Sequence, residues 1–136
     1  MRDENPIQEP NAEKGILAII LNAEASVHRL KELTPSLFAD KRNKAILMAL
    51  TKLHRGGNPV NEKTLTEHLR RSKERVNEIG GINYLTEVSN HFTSESNFDY
   101  WLESLREHAK RREVFELGKR AQELAEDTAL EPTKLP

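Results

Sequence analysis

A chain of 136 residues with 32% charged, 36% hydrophobic and 5% aromatic residues suits one helical domain with a heavily solvated surface, not a β-sandwich or a disordered chain. Its formal net charge of −1 excludes the overall cationic footprint that drives unspecific nucleic-acid binding, and the lack of cysteine excludes a disulfide framework or a thiolate metal site. No apolar run approaches the ~20 residues that span a bilayer and no signal-peptide pattern is present, so the expectation is a soluble, cytoplasmic protein with no membrane partner.

Residues 1–10, polar and containing Pro6 and Pro10, read as a flexible arm. A helical head is expected over 11–93. In NAEKGILAIILNAEASVHRLKEL, Glu13, Ile16, Leu17, Ile20, Val27 and Leu30 keep steps of three and four for most of the way, which predicts one or two amphipathic helices. Asn11 is the expected cap, with Glu13 in the first turn at the positive end of the dipole. The nearly continuous GILAIIL has to be buried. Thr34 then reads as a cap and Pro35 as the first residue of a further helix. Ile46, Leu47, Leu50 and Leu53 mark one face of the next, stopped by Gly56-Gly57. Asn61 is a cap, Thr64-x-x-Glu67 has capping-box spacing, and Leu65 and Leu69 form an i,i+4 pair. One or two turns with Val76 and Ile79 facing inward lead to Gly80-Gly81.

The long helix is expected over 94–128. From Ser96 or Asn97 to Asp127 there is no proline and only Gly118, which gives a rod of about 45 Å. The tail 129–136, with Pro132 and Pro136, stops it. Period-2 alternation is absent throughout. The fold class is therefore all-α, a compact head of about five helices followed by one long projecting helix.

Neither glycine pair is followed by Lys-Ser or Lys-Thr at phosphate-loop spacing, Gly118-Lys119 is followed by Arg120, and no G-x-G-x-x-G follows a strand. Gly80 and Gly81 accordingly end one helix and begin another, with Gly80 left-handed past Ile79. His28, His54, His68, His91 and His108 make no H-E-x-x-H motif and no i,i+4 pair, so no helical zinc site is encoded. The carboxylates are scattered, without a nucleophile signature. No catalytic, metal-ligating or cofactor-binding residue is assigned.

Two features remain. Arg106, Lys110, Arg111 and Arg112, with Arg70, Arg71 and Lys73 earlier, are either a solvated face compensated by Glu103, Glu107 and Glu113 or a rim of charge that guides a docking partner. No aromatic residues are interleaved with them for base stacking. Trp101, beside Tyr100, either seats the long helix on the head or touches another molecule. Val114, Phe115, Leu117, Ala121 and Leu124 lie farther out. They form a candidate self-association face, because an uncovered apolar stripe calls for a helix against it.

An ordered set of residues runs from Glu9 to Asp127. It comprises Ala12-Glu13 with Leu17; Phe38 and Ile46; Pro59-Val60-Asn61 with Thr64-Leu65 and Leu69; Val76, Ile79, Gly80, Gly81, Tyr84 and Leu85; then Asn97, Trp101 and Arg112. In this order and spacing the chain resembles the N-terminal domain of bacterial replicative DNA helicases of the DnaB type. Ala18, Asn43, Asn61 and Trp101 stand where that family usually has Gly, His, Asp and Tyr, the mark of a divergent member such as one carried by a phage or plasmid.

The resemblance implies a scaffold. Head and helical hairpin pair into dimers, the dimers assemble as a ring collar, and the collar recruits primase through the primase C-terminal domain. The long helix would be the first arm of that hairpin, the sequence stopping at Pro136 before the second. Gly80, Gly81, Tyr84 and Trp101 would be structural. ATP and Mg²⁺ belong to the motor of a parent ATP-dependent helicase, so no cofactor is expected in this chain, and DNA is met only through the parent. The other reading is a stand-alone DNA-binding or regulatory adaptor using Arg70, Arg71, Lys110, Arg111 and Arg112.

Overall fold

Helix α1 (Pro10–Asn22) is apolar almost all round, and residues 16–21 are all buried, as a helix surrounded by others must be. In the computed structural model, which describes residues 9–130 and side chains through 127, α1 is packed by α2 (Lys41–Arg55), α5 (Ile82–Ser89) and α6 (Phe98–Leu130). Helices α3 (Glu62–Leu69) and α4 (Lys73–Glu78) pack on α2 and on each other. Short 3-10 segments at Glu24–Glu32, Pro35–Leu37 and Glu95–Asn97 complete the described elements, all of them helical. The expected all-α head and long helix are therefore what the chain forms. Of the expected arm over 1–10, residues 1–8 lie outside the described residues, as does the stop at Pro132 and Pro136, whereas Pro10 already opens α1.

The core is drawn from widely separated parts of the chain: Phe38, Ile46, Leu50, Leu65, Ile79 and Phe98 are each at most 1% exposed, and burying a side chain of this kind contributes about 1.5–3 kcal/mol. GILAIIL is buried as the sequence requires.

Several caps differ from expectation. Glu9, not Asn11, caps α1: its carboxylate accepts the Asn11 N–H at 3.2 Å, leaving Pro10 in the first turn, where no donor is needed. The chain beyond α1 is 3-10 rather than a second α-helix. Asn22 ends α1 by donating Nδ2 to Ala18 O (2.9 Å), Ser89 O (3.0 Å) and Ser89 Oγ (3.1 Å), and Ala23 is extended. Pro35 opens only a single 3-10 turn, and the Thr34 hydroxyl pairs with Ser36 Oγ at 3.1 Å instead of capping. The capping box of α3 lies one turn before Thr64–Glu67: Asn61 Oδ1 accepts Thr64 N–H at 2.9 Å and Thr64 Oγ1 accepts Asn61 N–H at 3.1 Å.

The paired glycines do what the sequence asks. Gly80 N–H donates to Asn77 O (3.0 Å) and Gly81 N–H to Val76 O (2.9 Å), the two bonds of a Schellman stop. Their φ values of +86° and +93° suit residues without a Cβ, and Gly81 is at once the cap of α5.

Candidate functional site

The base of α6 is fixed to the head by its first turns. Phe98, Leu102 and Leu105 are buried and Trp101 is half-buried. Arg29 covers the Phe98 ring, its Cζ 4.0 Å from the centroid, while Nη2 donates to Asp99 at 2.6 Å and Nε to Glu32 at 2.7 Å. The bonds from Arg29 hold the Glu32 carboxyl below the usual range, and those from Glu32 and Asp99 raise the guanidinium further. Trp101 lies against α1 at Gly15, where an added Cβ would come within 2.7 Å of Nε1. Trp101 therefore seats the helix on the head. Tyr100, 69% exposed, meets its edge at 5.2 Å.

A second anchor is a chain of buried polar groups. Glu13, 1% exposed, stands in the first turn of α1 as expected, and its carboxylate also reaches a second helix. It accepts the N–H groups of Ala39 (2.8 Å) and Asp40 (3.3 Å) at the entrance to α2. Asn43 Nδ2 donates to Glu13 Oε1 at 2.8 Å, and Tyr84 Oη donates to Asn43 Oδ1 at 2.6 Å. The Arg42 guanidinium stacks 3.9 Å from the Tyr84 ring. Burial pushes the Tyr84 phenol up to about 12, whereas the bonds from Arg42 hold Asp40 below the usual carboxylate range. Glu13, Asn43 and Tyr84 thus join α1, α2 and α5.

Sequence reasoning missed Gly15 and Asn43 in these two anchors. The signal for the first was present: a lone Gly inside a helical apolar run marks a close approach. Among the described residues, no group of three or more His, Cys, Asp or Glu could hold a metal, and no helix is long and apolar enough to cross a membrane.

Beyond Arg112 every described side chain of α6 is exposed. Val114 is 69%, Leu117 52% and Leu124 68% exposed. At 100° per residue, Val114, Leu117, Ala121 and Leu124 fall within an arc of roughly 80°. Phe115 stands roughly 100° away from Val114, with Lys119 Nζ 5.7 Å from its ring centroid, so it lies off the stripe. The stripe is also rotated by roughly 110° from the face carrying Phe98, Leu102 and Leu105. It is a separate surface.

The cationic cluster divides. Arg106 and Lys110 are exposed; Arg111 pairs with Glu107 at 3.5 Å; and Arg112 donates to Ser36 O at 3.1 Å, tying α6 to the Pro35–Leu37 turn. Arg70, Arg71 and Lys73 are exposed at the junction of α3 and α4, which pack on α2, while α6 packs on α1 and two of the 3-10 turns. The two groups of charge are not assembled into one patch by these contacts.

The family described as DnaB-like helicase N terminal domain matches residues 5–107. The replicative DNA helicase DnaB of Rhodothermus marinus is 32% identical over 110 residues, covering 80% of this chain and 12% of that protein. The replicative DNA helicase DnaC of Bacillus subtilis (strain 168) is 31% identical over 108 residues, covering 79% of this chain and 24% of that protein. The chain thus spans a quarter or less of these relatives' lengths. Among solved structures, the N-terminal domain of DnaB helicase from Mycobacterium tuberculosis aligns with a TM-score of 0.82 at 25% identity, covering 92% of this chain and 89% of that one. A DnaB-like replicative helicase, described with its interactions with primase, aligns with a TM-score of 0.67 at 25% identity, covering 93% and 29%. With the family match covering residues 5–107 and the fold shared with a solved domain of that kind, the chain belongs to the DnaB-like helicase N-terminal domain family.

Proposed function

We propose that this domain is a collar and scaffold in DNA replication, which self-associates along α6 and docks the C-terminal domain of primase, while ATP and Mg²⁺ are used by a motor domain of the parent helicase. The observation that carries the reading is the exposed stripe of Val114, Leu117, Ala121 and Leu124, on turns of α6 with no head beneath them. Helices without tertiary cover are marginal in water, and a second helix laid on the stripe would bury side chains worth about 1.5–3 kcal/mol each. Family membership and the relative described with primase support the partner. The DNA-binding reading has less support, because Arg111 and Arg112 are engaged by Glu107 and Ser36.

Sedimentation velocity of the chain, alone and with a primase C-terminal domain, tests this. Concentration-dependent self-association that is lost in a Leu117→Lys, Leu124→Lys variant with an unchanged melting temperature is the expected result. A chain that stays monomeric and binds no primase domain overturns it.

A further inference from the structure

Among the six α-helices of the described residues only α2 lacks Asp and Glu, and it carries five Lys or Arg. Lys41, Lys44, Met48, Lys52 and Arg55 follow one another by steps of three and four, which places them along one side of the helix over about 21 Å. Met48, in the middle, is 60% exposed. None of the four cations is in an ion pair among the described residues. This side was not singled out in the sequence, and it belongs neither to the seat of α6 nor to its outer stripe.

A groove of about 580 Å³ runs between α2 and the α3–α4 pair. Its floor is apolar: Ala45, Ala49, Leu69 and Ile79, with Met48 as one wall. Lys41, Lys44, Lys52 and Arg75 stand on its rim against one carboxylate, Glu78. The two alanines leave room for a close approach of another backbone. On the opposite side of Met48 lies a groove of about 660 Å³ that adds Lys31 and Arg55 and no carboxylate. His68, in the first groove, is held below its ordinary value by burial and then by Arg75, Lys52 and Arg71, which agrees with a positive field there.

We infer that the groove between α2 and the α3–α4 pair docks an amphipathic helix of a partner protein, whose apolar side contacts Ala45, Met48 and Ile79 and whose Glu and Asp residues meet Lys41, Lys44 and Lys52. An apolar floor with a one-signed rim is what a helix-in-groove partner of opposite charge complements. Nucleic acid fits less well: among the described residues no Phe, Tyr or Trp lines either groove, and His54 and His68 are the only aromatic rings, so bases have no large aromatic face to stack on. This docking is independent of the collar reading and uses none of its residues.

The test is a labelled 18-residue synthetic helix with Leu at i, i+3, i+4 and i+7 positions and Glu elsewhere, titrated with the whole chain by anisotropy and by backbone amide shifts. Binding that moves the amides of Ala45, Ala49, Leu69 and Ile79 is expected. It should weaken about tenfold in Lys44→Glu, Lys52→Glu and fall with added salt. Lys44→Gln, Lys52→Gln, which changes the charge less, serves if the reversed variant does not fold, and should weaken binding about threefold. No binding, equal binding of the same peptide with Lys in place of Glu, or tighter binding of an oligo-dT strand in the groove overturns the proposal. Shifts of these amides that grow with protein concentration in the absence of peptide overturn it as well, assigning the groove to a second copy.

Discussion

Gly15 on α1 and the indole of Trp101 on α6 touch so closely that a Cβ on Gly15 would lie 2.7 Å from Nε1 and 2.8 Å from Cε2. In an open helix Gly→Ala would stabilise by about 1 kcal/mol. Here the overpacking, about 1–3 kcal/mol, opposes it. Gly15→Ala should lower stability by a net of up to ~2 kcal/mol in urea unfolding, and a Trp101→Leu background should remove most of that loss. A Gly15→Ala protein more stable than wild type would mean that the indole is not fixed on α1.

Asn43 bridges a carboxylate and a phenol inside the core. Asn43→Ala leaves Tyr84 Oη and one bond of Glu13 unmet, a loss of about 2–4 kcal/mol. Tyr84→Phe, which removes only the donor at one end, should cost about 1 kcal/mol. Because both act on one network, the double variant should fall short of the sum. Additive losses in equilibrium denaturation would show that Asn43 and Tyr84 act independently.

Acid should weaken the fold at Asp40 and Glu32. Both carboxyls are held below their ordinary values, 3.8 and 4.5, by Arg42 and Arg29, so the unfolded chain binds these protons first. Their stabilisation is complete above the ordinary values and is lost as pH falls through the folded ones. Each pair is partly exposed, which keeps its share to about 1 kcal/mol or less. Arg42→Ala should flatten this acid limb. Tyr84 acts at the other end: its phenol, raised from 10 to about 12, ionises first in the unfolded chain, so stability falls as pH rises above 10. Urea midpoints across pH check both limbs.

The two stop glycines should not be equivalent. Alanine at either meets a positive φ, at about 1–2 kcal/mol. At Gly80 the new Cβ also meets Arg42 Cδ at 2.6 Å, whereas at Gly81 nothing lies within 4 Å. Gly80→Ala should therefore melt lower than Gly81→Ala, and the difference should shrink in an Arg42→Ala background.

How far the sequence reaches follows from what each element depends on. The long helix needs only a proline-free run of helix formers, and the Gly80-Gly81 stop only the absence of a Cβ, so both can be read locally. Val27 and Leu30 are three apart, a step that 3-10 and α geometry share, and nothing in the spacing tells the two apart. Pro35 permits a helix but does not extend one; the single turn there is fixed by α6 through Arg112 and Ser36. Asn43 reads as an ordinary polar position because its partners, Glu13 and Tyr84, come from two other helices. The basic side of α2 was written in KRNK and the following Lys52 and Arg55. It stays hidden in a chain whose total charge is near zero.

The turn between the head-facing and outer faces of α6 has a consequence for how such a chain can change length. One residue inserted after Arg112 would advance the outer stripe by 1.5 Å and swing it by roughly 100°. Four residues would swing it by roughly 40°, and seven by only about 20° in the opposite sense. Insertions and deletions in this stretch keep the bearing of the stripe to within about 20° only at particular lengths, such as seven, eleven or eighteen residues, about 10.5, 16.5 or 27 Å of rise. The distance from the head to whatever meets that helix is therefore quantised, while its compass direction is fixed by the seat under Trp101.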